Sequence, residues 1–464
     1  MTTGLAVLVF SAASGAMLSG TALVTAITVA VGLVMVVLAL CAPRAVVLGT
    51  LIALPFVGLL RRATGSYVAT LDPILIIPPM LAAVCLFASV RRGDRAPRSR
   101  LGDAVAGFLA LGALGALNPT QGGLKVGIVG AGLFVGPLIW FFVGQRLADL
   151  VTLRRLLRLL ACIALIVAAY GLKQMIFGFS SFEQRWIDSK LSVYSALSIN
   201  GKIRPFSTFA SAAEYSYFLV IGAVLFATRL RAERWITSSA PVILFVTACF
   251  FAGSRGIFVF CSSGVILVLI ASRVKHLALS LLICLACSFV GLSLLKLVPL
   301  SRGTSVAAAT QNRTLEGLTD PFNDSVSTAN LHTASIASGT INGLKNPVGS
   351  GAGATNQAGY LFGGRNQSSE HDVPNVLLAY GWLGGLCLGL LILNVYRLAR
   401  RAVASGRAEL IGPAVLFLAL FGSWFNGAMY AVTALAWFLL GAIEQELFRH
   451  EIDHKVPGVT DSRG

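Results

Sequence analysis

Apolar residues run along this chain in blocks separated by short polar stretches, and most blocks approach the ~20 residues that a membrane-crossing helix needs. The blocks fall at 4–20, 23–41, 45–60, 71–90, 104–117, 124–144, 159–178, 212–228, 237–252, 257–271, 277–300, 374–396, 410–425 and 429–445. That is fourteen, and the first two together with the short 104–117 run leave the expected number of spans between twelve and fourteen. Two polar segments are long, 179–211 and 301–373. The second is rich in Ser, Thr and Asn and carries Gly339, Gly343, Gly349, Gly351, Gly353, Gly359, Gly363 and Gly364, so an irregular loop is expected there. The pattern predicts an all-α polytopic integral membrane protein: one transmembrane domain over 1–464, the large loop 301–373 within it, and a short charged tail at 446–464. No internal repeat or heptad is visible. The apolar start lacks a charged leader region and runs on into further spans, so it reads as membrane segments rather than a signal peptide.

Composition agrees. Hydrophobic residues make up 56% and charged residues 12%, with mean hydropathy +0.81, whereas a soluble domain carries about 25% charged residues. Eight cysteines all lie in apolar runs, so no disulfide framework is implied. Cys284 and Cys287 form a C-x-x-C inside a span, with neither His nor acid beside them, and read as packing. Three N-x-S/T tripeptides, at Asn312, Asn323 and Asn366, are what a loop this rich in Asn and Ser produces by chance.

The net charge of +17 changes the picture only through its distribution. Arginines and lysines cluster in five short loops: Arg91, Arg92, Arg95, Arg98 and Arg100; Arg146, Arg154, Arg155 and Arg158; Arg229, Arg231 and Arg234; Arg273 and Lys275; Arg397, Arg400, Arg401 and Arg407. Counted along fourteen spans, all five fall on one side, which the positive-inside rule makes cytoplasmic. Both termini are then cytoplasmic and the two long segments face outward. Arg61 and Arg62 are the conspicuous violation, a pair in an outer loop. No basic domain exists outside the spans, so nucleic-acid binding has no support.

Three outward-facing places carry residues suited to a membrane-anchored anion. Lys202-Ile203-Arg204-Pro205-Phe206-Ser207-Thr208-Phe209 precedes a span and puts Lys202 and Arg204 at the surface. Interfacial anchoring would use the same residues. Ala252-Gly253-Ser254-Arg255-Gly256 joins two spans with almost no loop. An arginine within hydrocarbon costs about 2.5–3.5 kcal/mol on insertion scales, so Arg255 is either a functional charge or part of an exposed turn. Glu370-His371-Asp372 lies where the large loop re-enters the membrane, with acids on both sides of an imidazole that could serve as a base. Those acids could raise its pKa or orient a ring nitrogen. A solvated loop histidine has the same sequence. His332 sits mid-loop without such neighbours, and His276, His450 and His454 are cytoplasmic in this topology. Glu214, with Tyr215 and Tyr217, stands at the outer start of a span, where it could pair with Arg204 or Arg255. Gly349-Ser350-Gly351-Ala352-Gly353 could bring backbone N–H groups to a phosphate.

Taken in order, these segments resemble the O-antigen ligase / O-antigen polymerase family. The family's Arg-x-x-Gly-Thr-Phe-like segment is similar to Arg204 to Phe209. Its Ser-Arg-Gly turn is similar to Ser254-Arg255-Gly256. Its long periplasmic loop, closed by a His-Asn-like pair and a Gly-x-x-Gly span, is similar to 301–373 with His371-Asp372, Gly381 and Gly384. The chain departs from the pattern at Ser207 for Gly, Asp372 for Asn and Tyr380 for Glu. The resemblance covers about 180 residues. It implies a GT-C-like glycosyltransferase of the bacterial inner membrane that needs neither metal nor other cofactor. The donor would be a polyprenyl-diphosphate-linked glycan, and a glycan or lipid the acceptor. Arg204 and Arg255 would hold the diphosphate and His371 would be the general base. Lys202, Glu214 and Arg365 are further candidates for substrate contact. A flippase and a chain-length regulator would be pathway partners. A polymerase of repeat units leads; a ligase, or a transporter of lipid-linked glycans, is the alternative. The enzyme reading expects Arg204, Arg255 and His371 to converge on one outer cavity.

Overall fold

The computed structural model describes residues 20–65, 73–94, 96–190, 198–199, 202–230, 235–302, 306–427 and 429–455. In chain order the helices are α1 (Gly20–Cys41), α2 (Pro43–Thr64), α3 (Pro73–Arg91), α4 (Arg100–Gly115), α5 (Leu124–Leu147), α6 (Leu150–Phe177), α7 (Ser181–Lys190), α8 (Ala212–Leu230), α9 (Trp235–Phe251), α10 (Arg255–Val274), α11 (Leu277–Leu297), α12 (Val306–Thr319), α13 (Ala329–Lys345), α14 (Gln357–Leu361), α15 (Asp372–Ala404), α16 (Ala408–Ala419) and α17 (Tyr430–Lys455). A two-residue ladder, β1 (Ser198–Ile199) with β2 (Lys202–Ile203), is antiparallel, pairing Ser198 with Ile203. Eight helices among the described residues are long and apolar enough to cross a membrane, and Ala26–Cys41, Ser238–Phe251 and Ala408–Ala419 are apolar but shorter. The expected runs at 23–41 and 104–117 are helical, as α1 and α4. The run at 4–20 lies almost wholly outside the described residues, as does the end of the 446–464 tail.

Apolar helices sort by how much of their circumference is covered. Every residue of α8 from Glu214 to Ala227 is buried, so this helix is the centre of the bundle, with α6, α9, α10 and α16 around it. At the other extreme α11 leaves Leu285 and Phe289 69% and 73% exposed. In water such a face would be an open apolar patch; against lipid tails it costs nothing. Small residues bring the helices close. A methyl group at Gly144 of α5 would lie 3.0 Å from Ala442 N, and one at Gly441 of α17 would lie 2.9 Å from Phe141 C.

The segment 301–373 is more ordered than its composition suggested. It folds into α12, α13 and α14, and α13 packs along the start of α15. Gly339 and Gly343 permit that approach, since a Cβ at either would press on Pro374 or Leu377. Helix α15 is broken at Gly381, whose φ of 58° is left-handed. The loop takes up the carbonyls freed by the break: Ser350 N donates to Leu378 O at 2.8 Å and Gly351 N to Ala379 O at 2.9 Å. A broken helix inside a membrane bundle needs such partners. The glycine-rich 349–353 stretch therefore spends its N–H groups within the protein. Gly353 N goes to Gln121 Oε1 at 3.0 Å and Gly349 N to Asn346 O at 3.2 Å. The expectation of a phosphate cradle there is overturned.

Candidate functional site

The Arg204 segment is shaped by buried partners from two helices, α2 and α6. Ser207 sits at φ 51°, a left-handed conformation for a residue with a side chain. Its Oγ donates to Val167 O at 2.6 Å, and Gln174 Oε1 accepts from Phe206 N and Ser207 N at 3.0 and 2.6 Å. Thr208 Oγ1 donates to Pro55 O at 2.6 Å. Arg62 closes the turn, donating through Nη2 to Ser207 O at 2.7 Å and through Nη1 to Phe209 O, while its plane lies 4.8 Å from the Phe206 ring. Arg62 is 3% exposed. Of the pair that violated the positive-inside pattern, Arg62 is thus an internal strut and not a loop charge.

Held this way, Arg204 reaches the tight turn between α9 and α10, where Nη1 lies 3.3 Å from Ser254 Oγ and 3.4 Å from Gly253 O. Burial, and then the neighbouring charge of Arg313, lowers Arg204 from the ordinary arginine value to about 10, still protonated at neutral pH. Arg255 opens α10. Its Nη1 donates to Val326 O and its Nη2 to Thr328 Oγ1, both at 3.1 Å. The guanidinium lies over Gly317 of α12, where a methyl group would be 2.6 Å from Cζ. Arg313 is one turn earlier on the same face of α12, and its charge acts on both Arg204 and Arg255. Among the described residues no ion pair includes Arg255 or Arg313. The three guanidinium charges repel one another.

A hydrogen-bonded route leaves this cluster toward the end of the large loop. Thr328 Oγ1, which accepts from Arg255, lies 3.0 Å from His332 Nε2, and His332 Nδ1 pairs with the Glu370 carboxylate. Glu370 is next in sequence to His371. The expected environment of His371 is corrected on two counts. Neither acidic neighbour touches it: Glu370 is paired with His332, and the Asp372 carboxylate accepts from Trp424 N and Phe425 N. Its imidazole instead packs against Gly422 and the Phe421 ring, centroids 5.4 Å apart, and burial lowers its pKa below the ordinary histidine value. The ring makes no hydrogen bond among the described residues.

The remaining candidates divide. Glu214 is 4% exposed and accepts from Ala431 N at 2.9 Å; it ties α8 to α17, pairs with neither Arg204 nor Arg255, and is not open to a substrate. Of Lys202 only the backbone pairing in β2 is described. Arg365 is exposed and lines a cavity of about 410 Å³ beside α13, together with Ser335, Asn342, Ser350 and Gln367. That cavity does not include Arg204, Arg255 or His371. His332, Thr328 and Arg313 were missed. All three lie on or between loop helices that the composition had hidden, and only their contacts reveal them. Among the described residues no group of three or more His, Cys, Asp or Glu gathers in a metal-binding arrangement.

Fold and site together define a polytopic helical membrane protein that gathers arginines where its large loop meets the bundle. No protein-family model matches the chain, and a search of curated proteins finds no relative.

Proposed function

We propose that this protein is a membrane glycosyltransferase that polymerises polyprenyl-diphosphate-linked oligosaccharide repeat units into a surface polysaccharide. In this reading it is a GT-C-like bundle of twelve to fourteen spans in a bacterial inner membrane. Loop 301–373 is periplasmic, both termini are cytoplasmic, and a flippase and a chain-length regulator work beside it. The observation that carries the reading is the arginine cluster around the Gly253–Arg255 turn, from which contacts run through Thr328 and His332 to Glu370, the residue before His371. An acceptor hydroxyl oxygen attacks the anomeric carbon of the donor sugar. The bond from that carbon to the diphosphate oxygen breaks, and the electron pair leaves with the lipid diphosphate. Arg204, Arg255 and Arg313 stabilise the charge on the departing group. His371, neutral at physiological pH, takes the proton of the attacking hydroxyl.

A second reading assigns the base to His332. Its Nδ1 is held by a carboxylate and its Nε2 points to Thr328, next to Arg255, which is how an oriented general base is built. A ligase using the same donor, and a transporter of lipid-linked glycans, are outcomes of one experiment. The purified protein in nanodiscs is given the lipid-diphosphate-linked repeat unit of its host. A ladder of repeat-unit multiples, lost in Arg255→Ala, supports the polymerase. Transfer only to an added lipid or protein acceptor makes it a ligase, and no turnover with any acceptor overturns the enzyme.

A further inference from the structure

We infer that the cavity beside α13 is a saccharide-binding site, which holds sugars of the lipid-linked chain away from the bond being made. The inference rests on the glycosyltransferase reading and adds to it where the glycan lies. Residues spaced three to four apart on α13 and just past its end, Ser335, Ser338, Asn342 and Asn346, form one wall of the cavity. Gln367 and Arg365 from the segment after α14 form another, and Leu378 supplies an apolar surface. Ser335 to Asn342 is seven residues of helix, about 10 Å, so the wall is longer than one sugar ring.

The chemistry of the lining selects the ligand. The carboxamides of Asn342 and Gln367 and the guanidinium of Arg365 make no hydrogen bond to the protein among the described residues. Each carboxamide offers donors and an acceptor side by side, which matches hydroxyl groups that both give and take a hydrogen bond. A phosphate-rich ligand would need more than the single cation present. No carboxylate lines the cavity, so a cationic ligand has nothing to meet. A neutral sugar chain, or one with a carboxylate placed at Arg365, fits both facts. Position agrees as well: Ser335 is one helical turn beyond His332, and Ser369, another lining residue, precedes Glu370. The cavity therefore begins beside the His332–Glu370 pair and leads away from it.

The test uses the full-length protein in nanodiscs and a lipid-free probe, the oligosaccharide repeat unit released by mild acid from the host's surface polysaccharide. Binding is measured by titration calorimetry and by saturation-transfer NMR. The probe binds the wild type and Arg255→Ala equally, and the double variant Asn342→Leu/Gln367→Leu weakens it at least tenfold while eluting as a monodisperse, folded protein. Because both side chains are exposed, leucine there does not disturb the fold. Unchanged affinity in the double variant overturns the inference, as does loss of binding in Arg255→Ala, which would put the sugar at the arginines. No binding to the wild type overturns it too, even where the polymer ladder forms and the glycosyltransferase reading stands. Binding at the cavity with no ladder and no transfer leaves a glycan-binding site and removes the enzyme.

Discussion

Glycine 317 offers a way to move Arg255 without removing its charge. A methyl group there would lie 2.6 Å from Arg255 Cζ and 2.7 Å from its Cδ, against an ordinary contact of about 3.5–4.0 Å. In Gly317→Ala the guanidinium must therefore shift by at least about 1 Å, and Nη1, the atom nearest the added methyl, by more. Its bonds to Val326 O and Thr328 Oγ1, at 3.1 Å, then stretch past useful length. The nearest atoms all belong to one flexible side chain, and alanine is the better helix former by about 1 kcal/mol, so the protein stays folded. A misplacement of this size costs about 10²-fold in rate, or about 2.7 kcal/mol of barrier. Gly256→Ala is the matched control, since no atom lies within 4 Å of a methyl group added there. The assay is the initial rate of the polymer ladder in nanodiscs at saturating donor, with thermal unfolding followed on the same samples. We expect Gly317→Ala to lose about 10²-fold, Gly256→Ala to stay near wild type, and both to melt normally. A Gly317→Ala protein that polymerises at the wild-type rate, beside an inactive Arg255→Ala, would show that this pose of Arg255 is not the working one.

Other expectations follow from the same contacts. With the pKa of His371 lowered by burial, its neutral form persists as pH falls, so the acid limb of the rate profile should lie below the ordinary histidine value of about 6.5 and vanish in His371→Ala. If His332→Ala removes that limb and His371→Ala does not, the base is His332. Arg62→Met should destabilise the protein by about 1–3 kcal/mol, because it strands the carbonyl of Phe209, while Ser207 O keeps its bond from Gln174 Nε2; a melting temperature within a degree of wild type would refute the strut. Asp372→Ala should cost a similar amount by stranding the amides of Trp424 and Phe425, whereas Asp372→Asn keeps one oxygen facing both and should melt near wild type. Ser207→Gly gives up one buried hydrogen bond worth about 1 kcal/mol but releases about 1–2 kcal/mol of left-handed strain, so its stability and ladder rate should match the wild type.

Much of the bundle was legible because lipid imposes a simple rule on sequence. A span must be apolar for its full length, and α8, α10 and α11 could be placed to within a few residues, whereas α15 and α17 run eight and ten residues past the ends of their apolar runs. The large loop was not legible in the same way. Its residues face neighbours that are distant in sequence, and Ser, Asn and Gly are common in loops whether or not a helix packs there. Nothing in the string around His332 says that Glu370, thirty-eight positions on, will take its ring nitrogen. Likewise, acids beside His371 in sequence suggested a carboxylate partner. The backbone instead turns at the start of α15, so that Asp372 caps the Trp424 turn and Glu370 points to α13.

The departures from the ligase-like pattern are more informative than its matches. At 207 the pattern expects glycine and the chain has serine, yet the backbone there is left-handed, the conformation for which glycine is kept. At 372 it expects asparagine and the chain has aspartate, yet what the position needs is a side-chain oxygen facing two amides, which either residue provides. Both substitutions preserve the local task while changing the letter. Tyr380, where the pattern expects glutamate, behaves differently. Its hydroxyl is buried without a hydrogen-bond partner, and its ring packs edge-on against Phe134 at 5.4 Å, one residue before the break at Gly381. A carboxylate could not take that place without a partner for its charge. This chain therefore fills with an aromatic ring a position that the pattern gives to an acid. Whatever that acid does elsewhere, the glycosyltransferase proposed above would rely here on the arginines and on His371 or His332.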